Sequence, residues 1–403
     1  MREKTILTQF EHSVMPRAPD DLTVVSFGQI AQGPVATQML ADLGAEVLKI
    51  ERPGGEWMRN FSMANEYPEG ESLHFQFFNR NKRSIELDIK DEEHRAVLYD
   101  LCEEADVVVE NFRPGVMDRL GFGYEELSDS NPGLIYASAS GFGSTGPYVD
   151  RPGQDLIVQG MSGLMSITGD RDDLPTPQGI AIADLHSATY LAFGILAALH
   201  YRDRTGEGQR IEGDLLSATV DLQLQEIGTY ANSGADLERG AHGLGNIYHP
   251  APYGVYETAD GHLVLSLVMP SELGEILDID EIKDVTTWEE AYDDRDQIMA
   301  SIGDVLRTDT TEAWMDKLLE HDVWCGPVQD IPAVVEDPQV EENEMLQTVD
   351  HPTLGEPTVT GTPIRMSETP PDIRRHPPLA GEHTEEILDE LGYPTDLSAT
   401  DDE

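Results

Sequence analysis

LTVVSFGQIAQGPVATQMLADLGAEVLKIE, residues 22–51, decides the fold. LTVVSFG (22–28) is a β-branched run that ends at glycine. GPVATQMLADLG (33–44) has apolar residues at helical spacing and stops at Gly44, and AEVLKIE (45–51) reads as strand again. Strand, helix and strand within 30 residues make a βαβ unit, whose strands must run parallel. The pattern continues outward. SIELDIK (84–90) alternates with period two, and DEEHRAVLYDLCEEA (91–105) opens with acids, as a helix N-terminus favours. DVVVEN (106–111) and GLIYASASG (133–141) read as further strands. The expectation is an α/β fold with a parallel sheet covered by helices. Ligands then bind at the carboxyl ends of the strands, near Gln29–Gly33, Glu51–Arg52, Asn111–Arg113 and Ser140–Gly143.

Helical patterns fill residues 156–201, interrupted by the loop TGDRDDLPTPQG, and GQRIEGDLLSATVDLQL (208–224) reads as strand then helix. The Gly-rich stretch SGADLERGAHGLGNIYHP (233–250) suggests a lobe boundary. The expected division is a large Rossmann-like domain over 1–232, a linker and small α/β domain over 233–335, and a return segment over 336–403 that rejoins the large domain and ends in an acidic tail. The small domain opens on a hairpin-like pattern, YGVYETADGHLVLSL.

The chain of 403 residues carries a formal net charge of −51 with six lysines, Lys4, Lys49, Lys82, Lys90, Lys283 and Lys317. Acids run along its whole length among ordinary apolar periodicity, so the charge reads as adaptation to a salt-loaded cytoplasm rather than as a disordered acidic tail. It argues against nucleic acid or anionic membrane as partners. MREKTILTQFEHSVMPRAPD lacks the apolar core of a signal peptide, and YLAFGILAAL (190–199) is too short to span a membrane. Two distant cysteines, Cys102 and Cys325, make neither a disulfide framework nor a metal cluster. His249 and His262 lack partners at ligand spacing, so no metal site is expected.

Basic residues are concentrated where the charge balance makes them costly to explain. Ten of 26 lie in the 71 positions from Lys49 to Arg119: Lys49, Arg52, Arg59, Arg80, Lys82, Arg83, Lys90, Arg95, Arg113 and Arg119. Two readings stand: a site for a polyanion such as a nucleotide or coenzyme A, or ion pairing with nearby acids. The G-x-G-x-x-G, P-loop, G-x-S-x-G and H-E-x-x-H motifs do not occur.

QGPVATQMLADLGAEVLKIERPG (32–54), NRNKRSIELDIK (79–90), VVVENFRPGVMDRLG (107–121), ASASGFG (137–143), IADLHSATYLAFGILAAL (182–199), CGPV (325–328) and PLAGEHTEEILDELG (378–392) together resemble the class III coenzyme A transferases, over residues 21–393. The resemblance implies a Rossmann-like large domain and a small domain in a ring-shaped chain, two rings interlocking as a homodimer. It also implies a nucleophilic aspartate at Asp184. Read alone, Asp184 is most simply a helix N-cap; as a nucleophile it would be kept ionised by the helix start.

The implied chemistry needs no prosthetic group, because the substrates are coenzyme A thioesters and a carboxylic acid. The carboxylate attacks the thioester to give a mixed anhydride and CoA thiolate. The thiolate attacks the aspartyl carbonyl and the first acid leaves; the second acid then takes CoA from the aspartyl thioester. The resemblance carries CoA contacts to Gln32, Arg52, Leu87, Lys90, Asn111, Phe112, Arg113 and Arg119. It places a loop over the site at Gly243, Gly245 and Asn246, where the other reading is a flexible connection. Gln32, Gln154, Arg59 and His249 are candidates for the acyl carboxylate, and Asp155 either orients the carboxylates or caps the helix that follows it.

The related racemases carry histidine where this chain has Gln154, which has no proton to exchange near neutral pH. An acyl-CoA racemase, a hydrolase and a non-catalytic CoA-binding protein are the alternatives. Taken together with a salt-adapted composition, the resemblance implies succinyl-CoA as donor and mesaconate or a similar C4–C5 dicarboxylate as acceptor.

Overall fold

The computed structural model describes residues 21–398; the N-terminal stretch read for a signal peptide and the acidic end lie outside the described residues. Along the chain run β1 (Thr23–Ser26), α1 (Gln32–Leu43), β2 (Glu46–Glu51), α2 (Leu73–Phe78), β3 (Lys82–Glu86), α3 (Glu92–Glu104), β4 (Val107–Glu110), α4 (Val116–Leu120), α5 (Tyr124–Ser130) and β5 (Ile135–Ser140). After these come α6 (Asp155–Met161), α7 (Leu164–Ile167), α8 (Ile182–Thr205) and β6 (Gln209–Asp214). The six strands form one parallel sheet in the order β3-β2-β1-β4-β5-β6. The strand order reverses between β1 and β4, which makes their carboxyl ends the crevice of a doubly wound sheet.

The central strands β1 and β4 are covered on both faces, which is why they read as unbroken apolar runs, whereas the edge strand β6 alternates and is partly exposed. Val24, Val47, Val107 and Ile135 face one core with Leu40 of α1 and Leu191 and Ile195 of α8. Their neighbours Val25, Leu48, Val108 and Tyr136 face the other, with Val97, Leu98 and Leu101 of α3 and Ile387 of the C-terminal segment. That segment also covers the outer edge of β3. Asn81 N donates to Arg375 O (3.1 Å) and His383 N to Ser84 O (3.0 Å). Glu86 N donates to Thr384 Oγ1 (3.0 Å). An edge left open would expose unpaired backbone.

The chain divides into two compact units: residues 21–158, 181–218 and 338–398 in the first, and 159–180 with 219–337 in the second. This departs from the expected boundary near 232, because 159–180 and 219–232 cluster with the second unit. Helical periodicity alone does not say which core a helix joins. In the second unit, β7 (Gly254–Glu257) and β8 (His262–Leu265) form the expected hairpin, and β9 (Cys325–Pro327) joins β8 antiparallel. Leu263, Leu265, Leu273, Ile298, Ile302 and Trp314 fill its core.

YLAFGILAAL is too short to cross a membrane, but it lies within α8, whose 24 residues are long and apolar enough by length and composition alone. Here the helix packs on α1, β5 and β6, burying Ala183, Ser187, Ala188, Leu191, Ala192 and Ile195. A core helix needs such composition on its inner face.

Candidate active site

The structure sorts the ten clustered cations. Lys82 is buried, with its ammonium on Pro34 O (2.8 Å), Phe78 O (2.9 Å) and Asn79 Oδ1 (2.9 Å). Lys49 is buried against Gly28 O (3.0 Å) and Glu56 (3.3 Å). Arg80 pairs with Asp42 (2.7 Å), Arg83 with Glu390 (2.9 Å), and Arg95 binds the carbonyls of Ile89 (3.1 Å) and Leu120 (2.7 Å). Arg59 forks onto Glu51 at 2.7 and 2.6 Å and lies 3.6 Å above the Phe75 ring.

Arg59 is therefore already bound to a carboxylate of its own chain, which corrects its expected use on the acyl carboxylate. Four cations remain, Arg52, Lys90, Arg113 and Arg119; all are exposed, and none makes an ion pair among the described residues. Ion pairs and carbonyl contacts thus account for six of the ten, and these four are left without an acid partner among the described residues.

Arg113 lies just past β4, in a recess at the carboxyl ends of β4 and β5 lined by Asn111, Phe112, Ser140, Gly143 and Arg151 among others. Arg151, absent from the sequence reading, is exposed and rests on the Tyr148 ring at 4.1 Å. The recess forms because Gly141 and Gly153 touch: a Cβ on Gly141 would sit 2.5 Å from Gly153 Cα. Leu87, at 2% exposure, has its side chain in the sheet core.

At the crevice between β1 and β4, Asn111 brackets one residue. Its Oδ1 accepts from Gln29 N (2.8 Å) and its Nδ2 donates to Gln29 O (2.7 Å). Gln32, the first residue of α1, is buried and donates through Nε2 to Ser187 Oγ on α8. Ser187 was not anticipated, although its place three residues past Asp184 puts the two on neighbouring positions of one helix face.

Asp184 is not the N-cap of α8. Ala181 holds that place, with Asp184 in the first turn. The cap comes from elsewhere in the fold: Asp155 Oδ1 accepts from Ala183 N (2.7 Å) and Asp184 N (3.4 Å). Asp155 thus caps α8, 28 and 29 positions further along the chain. Asp184 is partly accessible, and among the described residues nothing donates to its carboxylate. Burial, with the Asp155 charge beside it, pushes it up to about 7. This corrects the expectation that the helix start keeps it ionised: desolvation and a like charge outweigh the helix-end amides. Gln154 precedes Asp155 and is exposed, and its carbonyl accepts from Val158 N (3.0 Å).

Gly243, Gly245, Asn246 and His249 belong to the second unit. The segment is pinned rather than free. Gly243 N donates to Asp170 Oδ1 (2.8 Å), Gly245 N to Tyr253 O (3.0 Å), and Leu244 bridges Gly254. Asn246 is committed to Glu226 Oε1 (2.6 Å) and Tyr248 N (2.9 Å), and His249 packs on Tyr253 with ring centroids 4.5 Å apart.

The chain matches the model of CoA-transferase family III over residues 20–384. A succinyl-CoA:mesaconate CoA-transferase of Haloarcula hispanica is 39% identical over 393 residues, covering 94% of this chain and 97% of that protein. A formyl-CoA:oxalate CoA-transferase of Streptomyces avermitilis is 34% identical over 401 residues, covering 94% and 96%. The crystal structure of a CAIB/BAIF family protein from Brucella suis has a TM-score of 0.82 at 32% identity, over 93% of this chain and 99% of that one.

Proposed function

Because the chain belongs to CoA-transferase family III, we propose that it moves CoA from succinyl-CoA to mesaconate or a similar C4–C5 dicarboxylate, with Asp184 as the nucleophile. Transfer of CoA is the family's activity, and the enzyme is of that type. The acids are our reading, supported by the Haloarcula relative and by the acid-rich composition. The observation that carries the role of Asp184 is its carboxylate: partly accessible, free of donors among the described residues, and set on a helix turn fixed from outside by Asp155.

Its attack on the thioester carbonyl forms the mixed anhydride and expels CoA thiolate. The thiolate attacks the aspartyl carbonyl, forming the aspartyl thioester and releasing succinate. The acceptor carboxylate attacks that thioester, forming a second anhydride and freeing thiolate again. Thiolate attack on the acceptor's own carbonyl yields the new acyl-CoA and restores Asp184. No proton is consumed over the cycle, and the thioester bond energy is conserved. Arg52, Lys90, Arg113, Arg119 and Arg151 are our candidates for the CoA phosphates, as exposed cations without acid partners among the described residues.

A homodimer is part of this proposal, since α8 leaves Tyr190, Phe193, Leu196 and Tyr201 exposed, with Phe193 at 68%. A racemase is not favoured: Gln154 offers no exchangeable proton at the position in question.

The nucleophile must be ionised, and the ionised form accumulates above about pH 7. Turnover of acyl-CoA is expected to rise roughly tenfold between about pH 6 and 8 and then level off; a profile flat over that range would reject the elevated carboxylate. The substrate reading is tested in molar KCl with succinyl-CoA and a panel of acids, following CoA by mass. Transfer to mesaconate ahead of oxalate and glutarate is expected. Hydrolysis without an acceptor, or racemisation alone, would overturn it.

A further inference from the structure

Ile30 has a φ of +68°, in the left-handed region, and is 43% exposed. For a β-branched residue this conformation is an outlier that persists only when its surroundings over-determine it. No core packing pins the side chain, so the restraint must come through the backbone. Three contacts supply it. Lys49 Nζ holds Gly28 O at 3.0 Å. Gly28 and Gly33 close on each other, so that a Cβ on either would come within 3.2 Å of the other's Cα. Asn111 then holds both sides of Gln29, its N–H at 2.8 Å and its C=O at 2.7 Å. The far end of the turn is Gln32, bonded to Ser187 one helical turn beyond Asp184.

We infer that Asn111 is a positioning residue: by clamping Gln29 it keeps Ile30 left-handed, and so keeps the Gly28–Gly33 turn, and Gln32 with it, in register with the helix turn that bears Asp184. The inference rests on the proposed reaction for its kinetic readout. It departs from the resemblance, which makes Asn111 a contact to CoA. If the clamp breaks, Ile30 relaxes toward negative φ, the Gln29–Ile30 peptide turns over and Gln32 leaves Ser187. Glycine at position 30 has no such preference and occupies either basin at little cost.

The two roles separate in a double-mutant cycle of Asn111→Ala with Ile30→Gly, measuring kcat, KM and the Kd of free CoA, with amide exchange of Gln29 as a structural control. Asn111→Ala should lower kcat by about tenfold or more, leave the Kd of CoA within about threefold, and speed Gln29 exchange. In the Ile30→Gly background the same substitution should cost less than about threefold in kcat. Equal loss in both backgrounds, or a Kd of CoA raised about tenfold in both, overturns the inference in favour of direct contact. Should the wild-type enzyme transfer no CoA at all, the functional reading fails on its own. The clamp is then judged by Gln29 exchange alone: unchanged exchange in Asn111→Ala rejects it.

Discussion

Asp184→Ala is expected to lower CoA transfer by about 10⁴-fold or more while free CoA still binds within a few-fold, because the covalent route disappears and the binding surface does not. Asp155, the neighbouring acid, already spends Oδ1 on the first amides of α8. Asp184→Asn keeps size and polarity without a nucleophilic carboxylate and should be equally inactive, which separates chemistry from packing. Wild-type enzyme incubated with acyl-CoA and digested should carry acyl or CoA mass on the peptide that contains Asp184, and neither variant should. Transfer at the wild-type rate in Asp184→Ala would sink the mechanism.

Arg59→Ala is expected to destabilise the first unit by about 3–5 kcal/mol, since it strands a buried charge. Glu51 is fully buried, and its carboxylate also accepts from Ser84 Oγ (2.6 Å) and Glu56 N (2.9 Å). Burial alone would raise its pKa; the hydrogen bond and charge of Arg59, with Lys49, more than offset this and hold it at about 2. Its folded value is thus below its unfolded one of 4.5, so the stabilisation is complete above that pH and fades as pH falls toward about 2. In Arg59→Ala much of that acid-side dependence should vanish along with the stability. Replacing both partners, Arg59→Met with Glu51→Gln, should recover most of the loss. Melting in molar KCl across pH checks all three. If instead Arg59→Ala melts like wild type but raises KM for the acceptor acid, the guanidinium serves the substrate after all.

The sheet was legible because its central strands are buried on both faces, so their identity is written locally in runs such as 22–28 and 106–111. The start of α3 was legible too, since Asp91 caps its own helix, accepting from Glu93 N (2.9 Å) and His94 N (3.1 Å). The strand expected over 84–90 instead spans Lys82–Glu86. Apolar alternation continues through Leu87 and Ile89, but pairing with β2 stops at Glu51. What stayed hidden depends on partners remote in the chain. The cap of α8 comes from Asp155 across 28 and 29 positions. The fate of each cation depends on whether the fold brings it a carboxylate, as for Arg59, or a ring of carbonyls, as for Lys82. Local pattern also cannot tell that 159–180 belongs to the second unit.

The C-terminal cover on β3 has a consequence for biosynthesis. Residues that seal this edge, Arg375, His383 and Thr384, leave the ribosome nearly 300 positions after the strand they protect. Throughout translation of the second unit, the nascent sheet waits with its outer strand unpaired, while residues 219–337 can complete their own core before release. The first part of the polypeptide made is thus among the last to be finished, and truncation before residue 375 leaves its outer strand uncovered and open to pairing with another chain.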